Sequence, residues 1–262
     1  MFGGFSREYE ECDYIILGVP LDCTSTFRPG SRFAPSQIRL ASANIETYSF
    51  MFSIDVEEVR VGDVGDIDVS GGVKETVERV REVTRNLVAD GKTPVLIGGE
   101  HTLTLGSVRA FNGKVGVVCF DAHLDLRDEF LGLRVSHATF MRRVCESIGP
   151  ENVMVVGARA APREEVMFAE GSGMNVIKTL DLKKRGLERV GETIREFAGV
   201  HDKTYVSIDM DVLDPSIAPA VQNPEPGGLL LNDLMMLLTG GCAGGVSALD
   251  LVEVTPIYDS GI

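Results

Sequence analysis

Eight short runs rich in valine and isoleucine recur along the chain, at 14–20, 59–67, 93–99, 114–123, 152–158, 175–179, 204–211 and 245–254. Several are apolar at consecutive positions, as in YIILGV and VGVVCF, and do not alternate. A strand with one wet face alternates with period two. A strand apolar on both sides must be covered on both, as in parallel sheets flanked by crossover helices. The intervening stretches have helical periodicity. GGVKETVERVREVTRNLVADGK reads as an amphipathic helix closing at Gly91, a C′ glycine; a second starts at Ser136 with SHATFMRRV; LDLKKRGLERVGETIREF is a third. Strand and helix in alternation predict an α/β fold built on a parallel sheet. No repeat, low-complexity tract or Pro/Gly/Ser linker divides the chain, so residues 1–262 read as one domain.

The formal charge of −14 and pI near 4.7 argue against nucleic acid or an anionic membrane as partner, and suit a small cation. Five scattered cysteines, an odd number without a C-x-x-C pair, read as reduced thiols and point to the cytoplasm. The opening MFGGFSREYEECDY lacks a basic segment ahead of an apolar one, so no signal peptide is expected. The most apolar region, Leu229 to Val252, is interrupted by Asn232, Asp233 and several glycines, and reads as a helix followed by a buried strand, not a membrane span.

Functional groups in open α/β sheets gather beyond the carboxyl ends of the strands. TPVLIGG runs into Glu100-His101, VGVVCF into Asp121-Ala122-His123-Leu124-Asp125, and YVSI into Asp209-Met210-Asp211-Val212-Leu213-Asp214-Pro215. Alternate residues of an extended segment point to one side, so Asp121, His123 and Asp125 converge, as do Asp209 and Asp211. Carboxylates packed this way repel one another. Two divalent cations would balance the four charges of Asp121, Asp125, Asp209 and Asp211, with His101 and His123 adding neutral nitrogen. Oxygen and imidazole without thiolate favour Mn²⁺, with Zn²⁺, Fe²⁺ or Co²⁺ as the other ions such a set accepts. One D-x-D is commonly a solvated turn, and D-x-D-x-x-D invites a calcium-loop reading, but the EF-hand glycine and distal glutamate are missing. Two of the four histidines fall in these clusters and His137 follows closely, whereas His201 has no such company and reads as a loop residue. Three clusters at three strand ends make coincidence a poor account. Cys119 reads as a small core residue, Gly62-Asp63 and Gly65-Asp66 as a strand-edge turn, and Asp214 as a residue oriented to backbone amides.

GGEHTLTLG, FDAHLDLRDEF and SIDMDVLDPSIAP resemble the metal motifs of the ureohydrolase (arginase/agmatinase) family. The likeness extends to LGVPLDCTSTFRPGSRFAPSQIR, PEPGG at 224–228 and ALDLVEVTP, in order over essentially the whole chain. The DLRDEF…SHA context is most similar to compact prokaryotic agmatinases. The resemblance implies a three-layer α/β/α fold with an eight-stranded parallel sheet, and a binuclear manganese site. One ion would take His101, Asp121, Asp125 and Asp209, the other Asp121, His123, Asp209 and Asp211, with Asp121 and Asp209 shared and a hydroxide between them. It implies hydrolysis of a guanidinium group to urea and a primary amine. Asp125 would orient the hydroxide, Glu253 would pair with the guanidinium, and His137 would carry protons to the departing amine. By themselves Glu253 reads as a solvated strand-end carboxylate and His137 as a first-turn residue beside a Ser136 N-cap. Family likeness also implies trimers or hexamers.

Against the arginase pattern, Ala160 and Pro162 stand at acidic positions and Arg127 at a carboxylate-binding asparagine. An amino-acid head group therefore lacks anchors, and a small cationic guanidine, agmatine, fits better, with aminopropylagmatine as its rival. A formiminoglutamase or guanidino-acid hydrolase would need a basic anchor, for which Arg127 is the one candidate. A catalytically silent polyamine-binding homologue should have lost ligands that this chain keeps. Ala220-Val221-Gln222-Asn223 replaces a small-Gly-Thr stretch beside the expected pocket, and the chain stops at SGI (260–262) where relatives continue through a closing helix.

Overall fold

The computed structural model describes residues 1–4, 7–112 and 115–259; the SGI end lies outside them. Eight of its ten strands form one parallel sheet: β1 (Tyr14–Val19), β4 (Val61–Asp66), β5 (Thr93–Gly98), β6 (Val115–Phe120), β7 (Val153–Ala158), β8 (Asn175–Lys178), β9 (Lys203–Asp209) and β10 (Ala248–Val252). Their order is β4-β1-β5-β10-β9-β6-β7-β8. All eight apolar runs became these strands. β6 and β7 are buried at every position, as their unbroken apolar runs require.

One face of the sheet is covered by α2 (Val73–Ala89), α3 (Leu103–Arg109), α4 (Phe140–Ile148) and α5 (Arg163–Ser172), which pack Val77, Leu105, Phe140 and Ala169 against Val117, Val155 and Tyr205. The other face carries α6 (Thr179–Arg185), α7 (Leu187–Gly199) and α8 (Leu231–Gly241), which pack Leu182, Ile194 and Leu237 against Phe120, Val156 and Val206. This is the three-layer α/β/α arrangement. Each such buried aliphatic or aromatic side chain contributes about 1.5–3 kcal/mol over an exposed one. Among the described residues no helix is long and apolar enough to cross a membrane.

Three local expectations need correction. The stretch 180–197 is two helices, because Gly186 adopts φ 82 and ψ 151, a conformation essentially confined to glycine. Gly186→Ala should lower stability by about 1–3 kcal/mol while leaving the distant strand ends untouched, and a denaturant midpoint with a parallel activity assay checks both. Ser136 does not cap a helix: α4 begins at Phe140, and Ser136 closes a buried turn through its backbone N–H to Thr139 Oγ1 and its carbonyl to Thr139 N–H. The third correction concerns Asp63 and Asp66. They form no turn but lie in edge strand β4, where they hold Arg39 of α1 (Ala34–Ser42), with Asp63 accepting at 2.7 and 2.9 Å. A short antiparallel hairpin, β2 (Tyr48–Ser49) with β3 (Ile54–Asp55), had no counterpart in the sequence reading.

The site follows from the topology. Parallel strands present their carboxyl ends at one edge, and β5, β10, β9 and β6 are four consecutive neighbours at the sheet centre. His101, Glu253, the Asp209–Asp211 pair and the Asp121–Asp125 segment therefore emerge side by side. Close approach there demands glycine: a Cβ on Gly99 would lie 1.9 Å from the carbonyl oxygen of Leu21.

Candidate metal centre

Three of the four aspartates at these strand ends are aimed by a backbone amide. Asp121 Oδ1 accepts the His123 N–H at 2.6 Å, Asp209 Oδ1 the Asp211 N–H at 2.8 Å, and Asp211 Oδ1 the Ala122 N–H at 3.1 Å. The second oxygen of each is left to face an imidazole. Oδ2 of Asp209, Asp121 and Asp125 lie 3.1, 3.2 and 3.8 Å from His101 Nδ1. Asp211 Oδ2 and Asp121 Oδ1 lie 2.9 and 3.6 Å from His123 Nδ1. The six residues singled out at the strand ends thus form two clusters that share Asp121.

The hydrogen bonds around His101 test whether cations fit here. Asp250, fully buried, accepts the hydroxyls of Ser207 at 2.6 Å, Thr104 at 2.7 Å and Tyr205 at 2.5 Å. With its proton given to Asp250, Ser207 can only accept from His101 Nε2, 2.8 Å away. The ring is therefore protonated on Nε2 and turns the Nδ1 lone pair toward three carboxylate oxygens. Lone pairs facing lone pairs in a buried site call for positive charge between them. Burial disfavours a charged imidazole, yet the acidic groups around His101, Asp121 and Asp209 among them, hold it well above the ordinary histidine value, so even a proton is drawn into that place. Burial first, then the charge of Asp121, raises Asp125; burial first, then Asp211 and Asp121, raises Asp209. Divalent ions resolve the same conflict for all of them, and the oxygen and imidazole donors fit such ions. Cys119 is not part of the donor set. Its sulfur lies 3.7 Å from His101 Nε2, the wrong side of the ring, and burial pushes the thiol up to about 12.

Asp125 and Glu253 have left-handed backbones, φ 51 and 66, unusual for non-glycine residues and costing of order 1 kcal/mol or more each. Glu253 is not solvated. It is buried, with Oε1 accepting the His101 N–H at 2.6 Å, while Oε2 has no hydrogen-bond partner among the described residues. Burial pushes its carboxyl up to about 8. His137 lies in the buried turn before α4, its Nδ1 3.2 Å from Thr24 Oγ1 and its Nε2 3.4 Å from Thr26 Oγ1. Burial pushes it down to about 4. His201 stands apart, bridging Phe197 O and Asn152 and filling the space above Gly116.

These groups line a pocket of about 300 Å³. His123, Asp125, Asp209, Asp211 and Glu253 line part of it, Thr26, Arg127, Phe130, His137, Glu165, Asn223 and Glu225 add further polar and aromatic groups, and Ala138 and the 160–162 segment complete it. A larger hollow of about 370 Å³ lies beyond Ala160–Ala161, walled mainly by Leu124, Val166, Ala169 and Met174 and holding none of the clustered ligands. Of the 220–223 segment only Asn223 reaches the pocket. Val221 bridges to Val254, and Gln222 is buried against Ser31. Asp214 accepts the N–H groups of Gly227, Gly228 and Ser216, which ties the PEPGG loop to the ligand loop.

Among the contributors that escaped the sequence reading are Thr24 and Thr26, which follow β1, and Glu165 and Glu225. The threonines obey the strand-end rule already applied to three other strands, in a hydroxyl-rich CTST. Glu165 and Glu225 sit in a helix and a loop with no local pattern to mark them.

Comparison with known proteins agrees with this geometry. An agmatinase of Bacillus anthracis is 37% identical over 257 residues, covering 96% of this chain and 86% of its own length. The N(1)-aminopropylagmatine ureohydrolase of Thermococcus kodakarensis is 38% identical over 225 residues, covering 85% and 75%. The crystal structure of agmatine ureohydrolase of Thermoplasma volcanium superposes with a TM-score of 0.90 at 36% identity, covering 97% of this chain and 86% of that one. The pattern of the Arginase family matches residues 12–262, and the chain belongs to that family.

Proposed function

We propose that the protein is a manganese-dependent ureohydrolase of the agmatinase type, which cleaves the guanidino group of agmatine to urea and putrescine. The observation that carries the choice of substrate is the state of Arg127. Its Nε lies 3.3 Å from Glu165 Oε1, and its guanidinium stacks on Phe130 at 4.5 Å from the ring centroid. Glu165 is almost fully buried, and burial pushes its carboxyl up to about 7 against the pull of Arg127. Arg127, the one lysine or arginine among the described residues that line the pocket, is thus already paired, and Glu225 adds a further carboxylate. A substrate ending in a carboxylate finds no free cation there, whereas one ending in an ammonium meets acidic surroundings. This favours agmatine or aminopropylagmatine over a guanidino acid.

His101, Asp121, Asp125 and Asp209 would hold one ion, and Asp121, His123, Asp209 and Asp211 the other. Two Mn²⁺ ions would supply Lewis acidity and a nucleophilic oxygen at neutral pH. The remaining work belongs to the chain. Glu253 Oε2, buried and unpaired, accepts N–H groups of the guanidinium, and the substrate's positive charge offsets the burial of this carboxylate. Asp125 would serve both as a ligand and as the hydrogen-bond acceptor that orients the nucleophilic oxygen. His137, neutral at physiological pH, takes up the proton released as the nucleophile adds and passes it to the departing amine.

Urea release from Mn²⁺-treated protein, with agmatine, aminopropylagmatine, arginine and guanidinobutyrate offered in parallel, tests the reading. Turnover of the cationic amines with little from arginine or guanidinobutyrate is expected. Equal turnover of guanidinobutyrate would overturn the argument from Arg127. His137→Ala should lower kcat by roughly 10²–10⁴, the range typical of a lost general acid–base group, while leaving metal content intact.

A further inference from the structure

His137 must present one ring nitrogen to the pocket in a defined protonation state, and the residues behind it determine which. Glu100 has no solvent exposure. Its Oε2 is met by the backbone N–H of Thr24 at 2.7 Å, a group that can only donate. Its Oε1 is met by two hydroxyls, Thr24 Oγ1 at 2.7 Å and Thr102 Oγ1 at 2.6 Å. Burial raises the pKa of this carboxyl, and the three donors that converge on it oppose that shift, the pattern that suits the anion. Thr24 has one hydroxyl proton, and it is directed to Glu100. The lone pairs of the same oxygen must then accept from both groups that His137 brings to it: the backbone N–H at 3.0 Å and ring Nδ1 at 3.2 Å. An acceptor beside Nδ1 requires the proton on Nδ1. Nε2 then carries the lone pair, 3.4 Å from Thr26 Oγ1, and both Thr26 and His137 line the pocket.

We propose that Glu100, acting through the hydroxyl of Thr24, is a positioning residue that fixes His137 with its proton on Nδ1 and Nε2 open as the proton-exchanging atom. The relay joins the ends of β5 and β1 to the turn before α4, so it sets the orientation of the ring as well as its tautomer. The low affinity of His137 for a second proton agrees with a ring that is neutral when the reaction begins. The arrangement mirrors that at His101, where Asp250 acts through Ser207. The two relays have opposite outcomes: His101 is left with Nδ1 free and His137 with Nε2 free. The importance of this relay for turnover rests on the reading of His137 as the proton carrier; the tautomer itself does not.

Thr24→Val removes the hydroxyl at nearly constant shape, and Thr24→Ser keeps it. With only four histidines in the chain, ¹⁵N spectra of histidine-labelled protein loaded with diamagnetic Zn²⁺ resolve the tautomer of each. Wild type and Thr24→Ser should show His137 protonated on Nδ1 alone. Thr24→Val should lose that single tautomer and, assayed with Mn²⁺, lose about 10- to 100-fold in kcat, the effect usual for an outer partner of a functional histidine, with KM and bound metal little changed. A proton on Nε2 of His137 in the wild type would overturn the relay, as would a Thr24→Val spectrum identical to wild type. A changed tautomer with unaltered kcat would uphold the relay and overturn the assignment of His137 as proton carrier.

Discussion

Asp125→Asn is expected to leave a folded protein that has lost at least one metal and most of its activity. The fold should survive because asparagine tolerates the left-handed backbone that Asp125 adopts at φ 51. The loss is electrostatic. The amide removes one of the four carboxylate charges placed around His101 and His123, and cannot replace the anion whose Oδ2 stands 3.8 Å from His101 Nδ1. Loss of an outer partner costs about 10- to 100-fold in metal affinity, so loss of a charged ligand should exceed that range, with activity falling at least about 100-fold. Metal analysis after gel filtration and urea release measure the two effects separately. Thermal denaturation adds a third reading. An ion present at 100 times its dissociation constant stabilises the folded state by about 2.7 kcal/mol, so the rise in Tm on adding Mn²⁺ should shrink in the variant. Full activity with two ions bound would show that Asp125 is misassigned.

Arg159→Met should have the second largest effect, although this side chain is not a metal ligand. The guanidinium donates to five carbonyls: Gly157 at 3.3 Å, Asp211 at 2.5 Å, Val212 at 3.1 Å, Leu213 at 3.2 Å and Glu225 at 2.8 Å. These belong to the end of β7, the ligand loop after β9 and the PEPGG segment. One planar cation therefore ties the backbone of Asp211 to that of Glu225, on opposite sides of His123. Each buried acceptor left without a donor costs roughly 1–3 kcal/mol, but the site is half-buried and water will reach some of them, so a total near 3 kcal/mol is expected. For a chain of this size that is a fall in Tm of about 6–12 °C. The cluster around His123 should lose metal affinity more than that around His101. Arg159→Lys should not rescue it, because a single ammonium cannot reproduce the fork that reaches five acceptors. A lysine variant with wild-type Tm and metal binding would refute the clamp.

What was legible beforehand follows the range of the interactions involved. The eight strands were readable because burial on both faces leaves an apolar run visible in any short window, and the clustering of the candidate ligands because alternate residues of one strand end lie next to each other in the chain. Helix breaks were less visible: in 180–197 the periodicity continues through Gly186, and only its backbone angles show that the chain turns there. The role of Arg39 in holding Asp63 and Asp66, and the pairing of Arg127 with Glu165, depend on elements that meet only in the fold. Ser136 illustrates the opposite failure. Its residue type favours an N-cap, yet the hydroxyl of Thr139 claims its N–H and the helix starts after the turn. The hydroxyls of Thr24 and Ser207 carry no pattern of their own, since each matters only through the carboxylate behind it.

The place of β10 has a consequence for how the molecule is made. Among the described residues it is the last sheet strand in chain order, yet it lies between β5 and β9 and is the one strand that joins β4-β1-β5 to β9-β6-β7-β8. While residues 248–252 are still inside the ribosome, the strand order lets the nascent chain form at most two half-sheets, each of which would end in a strand with unpaired N–H and C=O groups. Such pairing across a long stretch of chain is slow, and its exposed edges are prone to aggregation and a target for chaperones. The division also separates the ligands, with His101 on one half and the aspartates and His123 on the other. The ion held with His101 would therefore have to follow the insertion of β10, whereas Asp121, His123, Asp209 and Asp211 already share one half. The bound ions would act as a latch on a finished sheet, and a chain stalled before Ala248 should carry all six candidate ligands and still fail to bring His101 to the shared centre.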